Sequence, residues 1–164
     1  MKFCPKCGQA SFISSPRSYA CGECGFEWFR NVAAAVAAII EYQDAILACV
    51  RARDPDAGKL DLPGGFVDQQ ETAEQALKRE LEEELSLAEI TPIYFGTYPN
   101  VYPYRSMIYH TLDLIFTVKL DRLPAISAAD DVAAIRWINK SDLALHDFAF
   151  RSMRAALADY TRTI

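Results

Sequence analysis

The longest run of apolar positions in the chain, Val32 to Ile40, is rich in alanine and β-branched residues and short, which predicts a strand buried in a core. Extended to Tyr42, it meets a second apolar segment, Ala45 to Arg51, across a tight turn near Gln43-Asp44. After a loop from Arg53 to Lys59, marked by Pro55 and Gly58, a Pro63-Gly64-Gly65 turn leads into a helix from Glu71 to Leu85. Ile90 to Tyr98, Met107 to Lys119 and Val132 to Ile138 carry strand patterns. Phe148, Met153, Ala156, Leu157 and Tyr160 recur at mostly helical spacing, which predicts a closing helix from Asp147, its N-cap, to Tyr160. The sum is a sheet with helices packed on it.

Composition narrows this picture. With 164 residues, 51% hydrophobic and 24% charged, the chain suits one folded domain, or a domain with a small appended module. No apolar run reaches the roughly 18 to 20 residues of a membrane span, and Met1-Lys2-Phe3-Cys4-Pro5 lacks the apolar core of a signal peptide. The expectation is a cytoplasmic protein with no membrane partner. The net charge of -5 opposes non-specific attraction to nucleic acid, which is therefore not an expected partner. It does not oppose a small phosphate substrate, which reaches an acidic site by way of a bound divalent cation.

Four of the five cysteines form a doubled unit, Cys4-Pro-Lys-Cys7-Gly8 and Cys21-Gly-Glu-Cys24-Gly25. Two such pairs can place four thiolates on one tetrahedral Zn2+, and a glycine after each lets backbone N-H groups turn toward the sulfurs. The competing reading is a pair of disulfides, which a cytosolic setting and matched pairs disfavour. Four sulfurs leave the metal no open position, so the zinc is expected to be structural. Between the pairs, Gln9 to Ala20 is polar and turn-rich and predicts a hairpin. Composition changes abruptly after Arg30, so residues 1–30 are expected to form a zinc ribbon and 31–164 the main domain. The ribbon's cations are Lys2, Lys6, Arg17 and Arg30. Its aromatics Tyr19, Phe26, Trp28 and Phe29 read as packing against the main domain in preference to a nucleic-acid platform. Cys49 reads as a small buried hydrophobe.

The helix from Glu71 carries the chemistry. At about 100° per residue, Ala73, Leu77 and Leu81 define an apolar stripe. Glu84 projects within about 20° of Leu77 and Glu80 within about 60°, with Glu83 flanking them. An ordinary solvated helix turns its carboxylates outward, because uncompensated burial is costly. Arg79, four residues before Glu83, can pair with it but cannot neutralise all three. Clustered carboxylates with oxygen-only ligands suit Mg2+ or Mn2+ held with waters and substrate phosphates, which points to phosphoryl chemistry. The alternative is a highly charged surface helix with i,i+4 pairs.

The segment from Gly65 to Leu87 resembles the Nudix box, G-x5-E-x7-R-E-U-x-E-E-x-G-U with U a bulky aliphatic residue: Gly65, Glu71, Arg79, Glu80, Leu81, Glu83, Glu84 and Leu87 match in register. Ser86 stands where the family has the glycine that ends the helix. The resemblance implies an α+β fold, an α/β/α sandwich with a mixed sheet, here preceded by the zinc ribbon. It also implies that Glu80, Glu83 and Glu84 bind catalytic Mg2+ or Mn2+, that Glu71 assists structurally or at a further metal, that Arg79 orients the glutamates, and that Gly64 or Gly65 offers a carbonyl to metal. The implied reaction is attack of water at phosphorus in a nucleoside diphosphate linked to another moiety, and the implied assembly is a homodimer.

In that family the base is either a box glutamate such as Glu83 or an acidic residue before a late tryptophan-bearing strand. Asp131, beside Asp130 and ahead of Trp137, fits the second position, and a turn-capping pair is its plainer reading. Asp113, inside an apolar strand, is a weaker candidate. A ribbon before such a domain is similar to the bacterial NADH diphosphatases, but their Ser-Gln-Pro-Trp-Pro-Phe-Pro array is replaced here by Tyr98-Pro99-Asn100-Val101-Tyr102-Pro103-Tyr104-Arg105-Ser106-Met107. In this loop Tyr98, Tyr102 and Tyr104 are candidates to stack on a base and Arg105 to meet a phosphate, against packing of a proline-stiffened loop. An ADP-ribose-like compound, nucleotide sugar or dinucleotide is the expected small substrate. A ligand-sensing or partner-binding protein of the same fold, and an RNA-processing pyrophosphatase using the ribbon, are the alternatives.

Overall fold

The structure is a computed structural model and describes residues 2–163. Contacts divide the chain after Val32 into two compact units.

The first unit is a three-stranded antiparallel sheet, β1 (Phe12–Ser14), β2 (Ser18–Cys21) and β3 (Glu27–Phe29), in that order. The expected hairpin is β1 and β2, closed by Ser15, whose hydroxyl accepts from the Ser18 N-H at 2.9 Å. Its core is small. Cys4, Phe12 and Cys21 are buried, and Phe12 stacks on Tyr19 and Phe26 with ring centroids at 5.5 and 6.3 Å. Tyr19 and Phe26 thus complete the ribbon's own small core.

In the second unit the strands β4 (Ala33–Tyr42), β5 (Ala45–Arg51), β8 (Ile93–Tyr104), β9 (Met107–Leu120) and β10 (Val132–Asn139) lie in the order β10-β5-β4-β9-β8. The short strands β6 (Leu60–Asp61) and β7 (Gly64–Phe66) pair with β5 and β4. All pairs are antiparallel except β4 with β9, which run parallel from Ala33↔Thr111 to Tyr42↔Leu120, so the sheet is mixed. Alternation along β4 sends Val36, Ala38 and Ile40 to the face covered by α1 (Ala73–Leu85), where they meet Leu77, Leu81 and Leu85. Ala37 and Ile39 point to the other face, against Phe148, Met153 and Leu157 from α2 (Arg151–Thr163) and the segment before it. Each large aliphatic side chain so buried contributes about 1.5–3 kcal/mol. The result is the α/β/α sandwich. Among the described residues no helix is long and apolar enough to cross a membrane.

Three element boundaries differ from expectation. Helix α1 begins after Thr72, which forms a capping box with Gln75, so Glu71 lies just outside it. Helix α2 begins at Arg151: Leu145–Asp147 form a separate 3-10 turn, Phe148 is extended and bridges Leu60, and the Ala149 N-H reaches the Leu60 carbonyl at 2.8 Å. Asp147 therefore caps nothing on α2. The supposed loop Tyr98 to Arg105 is mostly strand. Pro99 and Pro103 are accommodated because β8 is an edge strand, where a residue without an N-H need not interrupt a ladder on its outer side.

The Pro63-Gly64-Gly65 turn is also partly strand. Gly64 has φ +146°, and a Cβ placed there would stand 2.1 Å from the Val36 carbonyl oxygen and 2.7 Å from the Ala37 Cα. Gly64→Ala is therefore expected to push β7 off β4 and to lower stability by at least about 1–3 kcal/mol. A urea midpoint equal to the parent's would contradict this.

Candidate active site

Helix α1 is positioned by its leucine stripe, and the stripe decides where the glutamates go. Glu84 is 8% exposed, and the Gly64 N-H donates to its Oε2 at 2.9 Å. Among the described residues no cationic side chain touches it. Burial, only partly opposed by that N-H, pushes the Glu84 carboxyl up to about 8, and nearby Glu80, Asp61 and Asp131 add to the rise. Glu80 is partly buried beside Gly65, where a Cβ would lie 2.4 Å from its Oε1, so a side chain there would displace the carboxylate from its present position. Burial also raises the Glu80 carboxyl, against the pull of Arg79. The Glu83 side chain is 52% exposed.

Arg79 ties these groups together. Its guanidinium reaches Glu71 and Glu80 at 2.7 Å each and Glu83 at 3.3 Å, and donates to the Phe66 carbonyl at 3.0 Å. Glu71 in turn accepts from the Asp68 N-H at 2.7 Å, and the Arg79 hydrogen bonds hold its carboxyl below the usual range. One arginine thus links three carboxylates and the strand before the helix. Glu84 is left out of this network. The helix ends as a glycine would end it: Ser86 takes φ 57°, its N-H bonds the Glu82 carbonyl at 2.9 Å, and the Leu87 N-H bonds the Leu81 carbonyl at 3.0 Å.

Glu80, Glu83 and Glu84 open onto a cavity of about 430 Å3 that runs along the sheet toward α2. Asp130 and Asp131 are on its wall, exposed, and held by Arg53 at 3.9 and 2.7 Å. Asp113, the other acidic candidate, is buried and accepts from the Thr111 and Ser152 hydroxyls at 2.6 and 2.5 Å, which gives it a structural occupation. Tyr102 and Tyr104 line the cavity. Tyr98 and Arg105 do not. The Tyr98 hydroxyl donates to Asp159 on α2 at 2.9 Å, and Arg105 sits at the β8–β9 hairpin tip with φ 53°, over the Tyr104 ring. The loop reading brought these four together, whereas on β8 the three tyrosines share one face but Tyr98 lies about 13 Å from Tyr102 along the strand, and Arg105 stands at the hairpin tip.

Sequence reasoning missed Arg51, Asp61, Asn100, Thr111 and Phe150, all on the cavity wall. Asp61 between Leu60 and Leu62 was the available signal, a charge in an otherwise apolar stretch. Its partner is Arg51, with Nη1 to Oδ2 at 2.7 Å. Cys49 is buried as expected, and burial pushes its thiol up.

In the ribbon, the sulfurs of Cys4, Cys7, Cys21 and Cys24 lie within 4.8 Å of one another, with Cys4–Cys24 at 3.8 Å and Cys7–Cys21 at 3.7 Å. Disulfide sulfurs are about 2.05 Å apart, so the disulfide alternative fails. Tetrahedral Zn–S bonds of about 2.3 Å place sulfurs about 3.8 Å apart, and the cluster fits that metal. The Ser11 hydroxyl, at 3.2 Å, and then the N-H groups of Cys24 and Glu23 hold the Cys21 thiol down to about 6. The glycines after each pair have positive φ and bond back to the Cys4 and Cys21 carbonyls at 2.8 and 3.1 Å.

A mixed sheet clasped by two helices, one bearing clustered carboxylates at the mouth of a cavity, defines a class of protein suited to holding a divalent cation beside a ligand. A family model described as the NUDIX domain matches residues 30–160. The ADP-ribose pyrophosphatase of Methanocaldococcus jannaschii is 32% identical over 119 residues, 72% of this chain and 68% of the relative. The NAD-capped RNA hydrolase NudC of Vibrio vulnificus is 32% identical over 110 residues, 66% of this chain. The chain spans only about two fifths of that relative's length, the match covering 41% of it. A crystal structure of a NUDIX hydrolase from Nitrosomonas europaea superposes with a TM-score of 0.74 at 28% identity, covering 99% of this chain and 91% of that one. The chain belongs to the NUDIX family. The two relatives are, by name, a pyrophosphatase and a hydrolase, the class expected from the residues.

Proposed function

We propose that the protein hydrolyses the pyrophosphate link of a small nucleoside diphosphate derivative, with Glu80, Glu83, Glu84 and the Gly65 carbonyl holding Mg2+ or Mn2+. The observation that carries this reading is Glu84: a carboxylate buried beside Glu80, with no cationic side chain among the described residues against it, at the mouth of a cavity of substrate size. A bound divalent cation would screen the phosphate charge and ease attack of water on phosphorus. Arg79 fixes the carboxylates before any ligand arrives, and Glu71 fixes Arg79. Glu83, the most exposed of the three, has room to take a proton, and so does Asp131 once it leaves Arg53. Tyr102 and Tyr104 are the candidates retained for substrate contact; Tyr98 and Arg105 are not. In the ribbon, Cys4, Cys7, Cys21 and Cys24 hold a structural Zn2+. The homodimer and the cytoplasmic setting belong to the same reading, and exposed Val101, Ile108 and Leu112 on the β8–β9 arm are apolar side chains available to a second copy.

The test is a turnover screen of ADP-ribose, nucleotide sugars, dinucleotides and capped RNA with Mg2+ or Mn2+, run beside Glu83→Gln. Metal-dependent release of a nucleoside monophosphate is expected, with the variant strongly impaired. No turnover above the variant on any compound would sink the enzyme reading and favour a ligand-sensing role.

A further inference from the structure

The first unit carries an aromatic pile that ends on a cation. Phe26 stacks on Phe12 and Phe12 on Tyr19, with 16° and 23° between ring planes, and the Arg30 guanidinium lies over Tyr19 at 4.2 Å from its ring centroid. Three nearly parallel rings are thus capped by a flat cation that is itself exposed. The pairing Ser14↔Tyr19↔Trp28 sets Trp28 on the same face as Tyr19, one strand across, where it is 47% exposed. The Arg30 N-H bonds the Arg17 carbonyl at 2.8 Å, which brings both arginines to the end of the sheet away from the Phe12↔Cys21 pair.

Charge is unevenly divided along the chain. Residues 1–32 hold four of its 17 lysines and arginines and two of its 22 acidic residues, a net of +2, which leaves 13 cations against 20 acids, a net of -7, for the rest. The total of -5 hides this division. Within the ribbon, position matters more than the sum, because four thiolates around a dication add negative charge at the cysteine end. Both ribbon acids lie off the Trp28 face: Glu23 is in the Cys21–Cys24 turn, and Glu27 points to the opposite face, where it accepts from the Ser18 hydroxyl. Arg30, with Arg17 at the adjoining turn, therefore stands beside an open indole with no ribbon carboxylate, among the described residues, on that face. At about 0.1 M salt, charges more than about 10 Å apart are largely screened, so these local signs decide what binds.

We infer that this face of the ribbon binds single-stranded nucleic acid, with one base on the Trp28 indole, a neighbouring base on the outer plane of Arg30, and Arg17 meeting a phosphate. An unpaired strand presents flat rings and phosphates in alternation, and stacking accepts any base because all have a π-face. Guanidinium planes take stacked bases as aromatic rings do. A duplex keeps its rings for one another and is left with the two cations alone. An acidic peptide satisfies the arginines but leaves the indole bare, so the open rings are what favour a nucleic acid. The inference goes beyond the hydrolase reading and does not rest on it.

Fluorescence anisotropy of short labelled oligouridylate and oligothymidylate, and of a duplex of equal length, titrated with the full zinc-loaded chain tests it. Both single strands are expected to bind in the micromolar range at low salt, and the duplex roughly tenfold or more weakly. Trp28→Ala should weaken single-strand binding roughly tenfold, while Trp28→Phe keeps most of it. Arg17→Ala and Arg30→Ala should each flatten the slope of log K against log salt by about 0.7. Zinc content and the ring signals of Phe12 and Phe26 report whether each variant keeps its ribbon. Absence of binding to either single strand at low salt overturns the inference. So does a duplex bound as tightly as the single strands, or an affinity unchanged in Trp28→Ala that keeps its zinc. Nothing is turned over in these titrations, so a hydrolase whose ribbon binds no oligonucleotide loses this claim alone.

Discussion

Glu84→Gln is expected to stabilise the metal-free protein above neutral pH while removing its hydrolytic activity. Glutamine keeps the acceptor that the Gly64 N-H needs, so the fold loses no hydrogen bond. What it removes is a buried acid whose affinity for its proton is raised from 4.5 to about 8, mainly by burial. In the unfolded chain this carboxyl ionises near its ordinary value. The stability it contributes is therefore full below about pH 4.5 and is lost as pH rises through about 8. By pH 8 the loss is on the order of several kcal/mol. In zinc-loaded protein freed of Mg2+ by buffer exchange, the thermal midpoint of the parent should fall from pH 5 to pH 8 more steeply than that of the variant. Added Mg2+ should raise the parent alone at pH 8. Loss of a ligand that screens phosphate charge is worth several kcal/mol in the transition state, roughly a 10^3-fold drop in kcat/KM. A variant less stable than the parent at pH 8, or one that keeps its turnover, refutes this account of Glu84.

Removing zinc should unfold the ribbon completely. Its buried core is Cys4, Phe12 and Cys21, and two of those three are the proposed ligands, so little apolar surface remains to hold three short strands. Zinc bound to such modules contributes about 10–16 kcal/mol, far above what the Phe12 stack with Tyr19 and Phe26 supplies. Metal analysis should find one Zn per chain. On chelation, or in Cys21→Ser, the dispersed NMR signals of the Phe12, Tyr19 and Phe26 rings should collapse to random-coil positions. Substantially less than one Zn per chain in protein that keeps those signals rules the assignment out.

How far the residues alone reached depended on whether periodicity was visible. On α1 the 3.6-residue period put Glu84 on the leucine stripe, and there it is buried; the same count placed Glu83 at the side, where it is half exposed. The Val32 to Ile40 run read as a buried strand, and Val36 to Ile40 are buried on both faces, whereas Val32 precedes β4 and is exposed. Strand positions hid the rest. Asn100 follows Pro99 and reads as a turn residue, and nothing in a period of two says which face of β8 meets the cavity. Arg51 and Asp61 become partners only because β6 pairs with β5, a contact between segments joined by a polar loop. The start of α2 was set by a tertiary hydrogen bond, Ala149 to Leu60, that no local pattern encodes.

The parallel pairing of β4 with β9 joins residues about 80 positions apart, with α1 in the stretch between them, and contacts of that span form late because a long loop must close first. Helix α1 has its own cap and can begin to coil early, but β4, against which it buries its leucines and β7 places Gly64 beside Glu84, finds its place only when the centre of the sheet is assembled. A nascent chain still lacking β9 thus has Glu71, Glu80, Glu83 and Glu84 but none of the burial that raises the Glu84 carboxyl, so the proposed capacity to capture a divalent cation is expected to appear in one step, with the completed sheet.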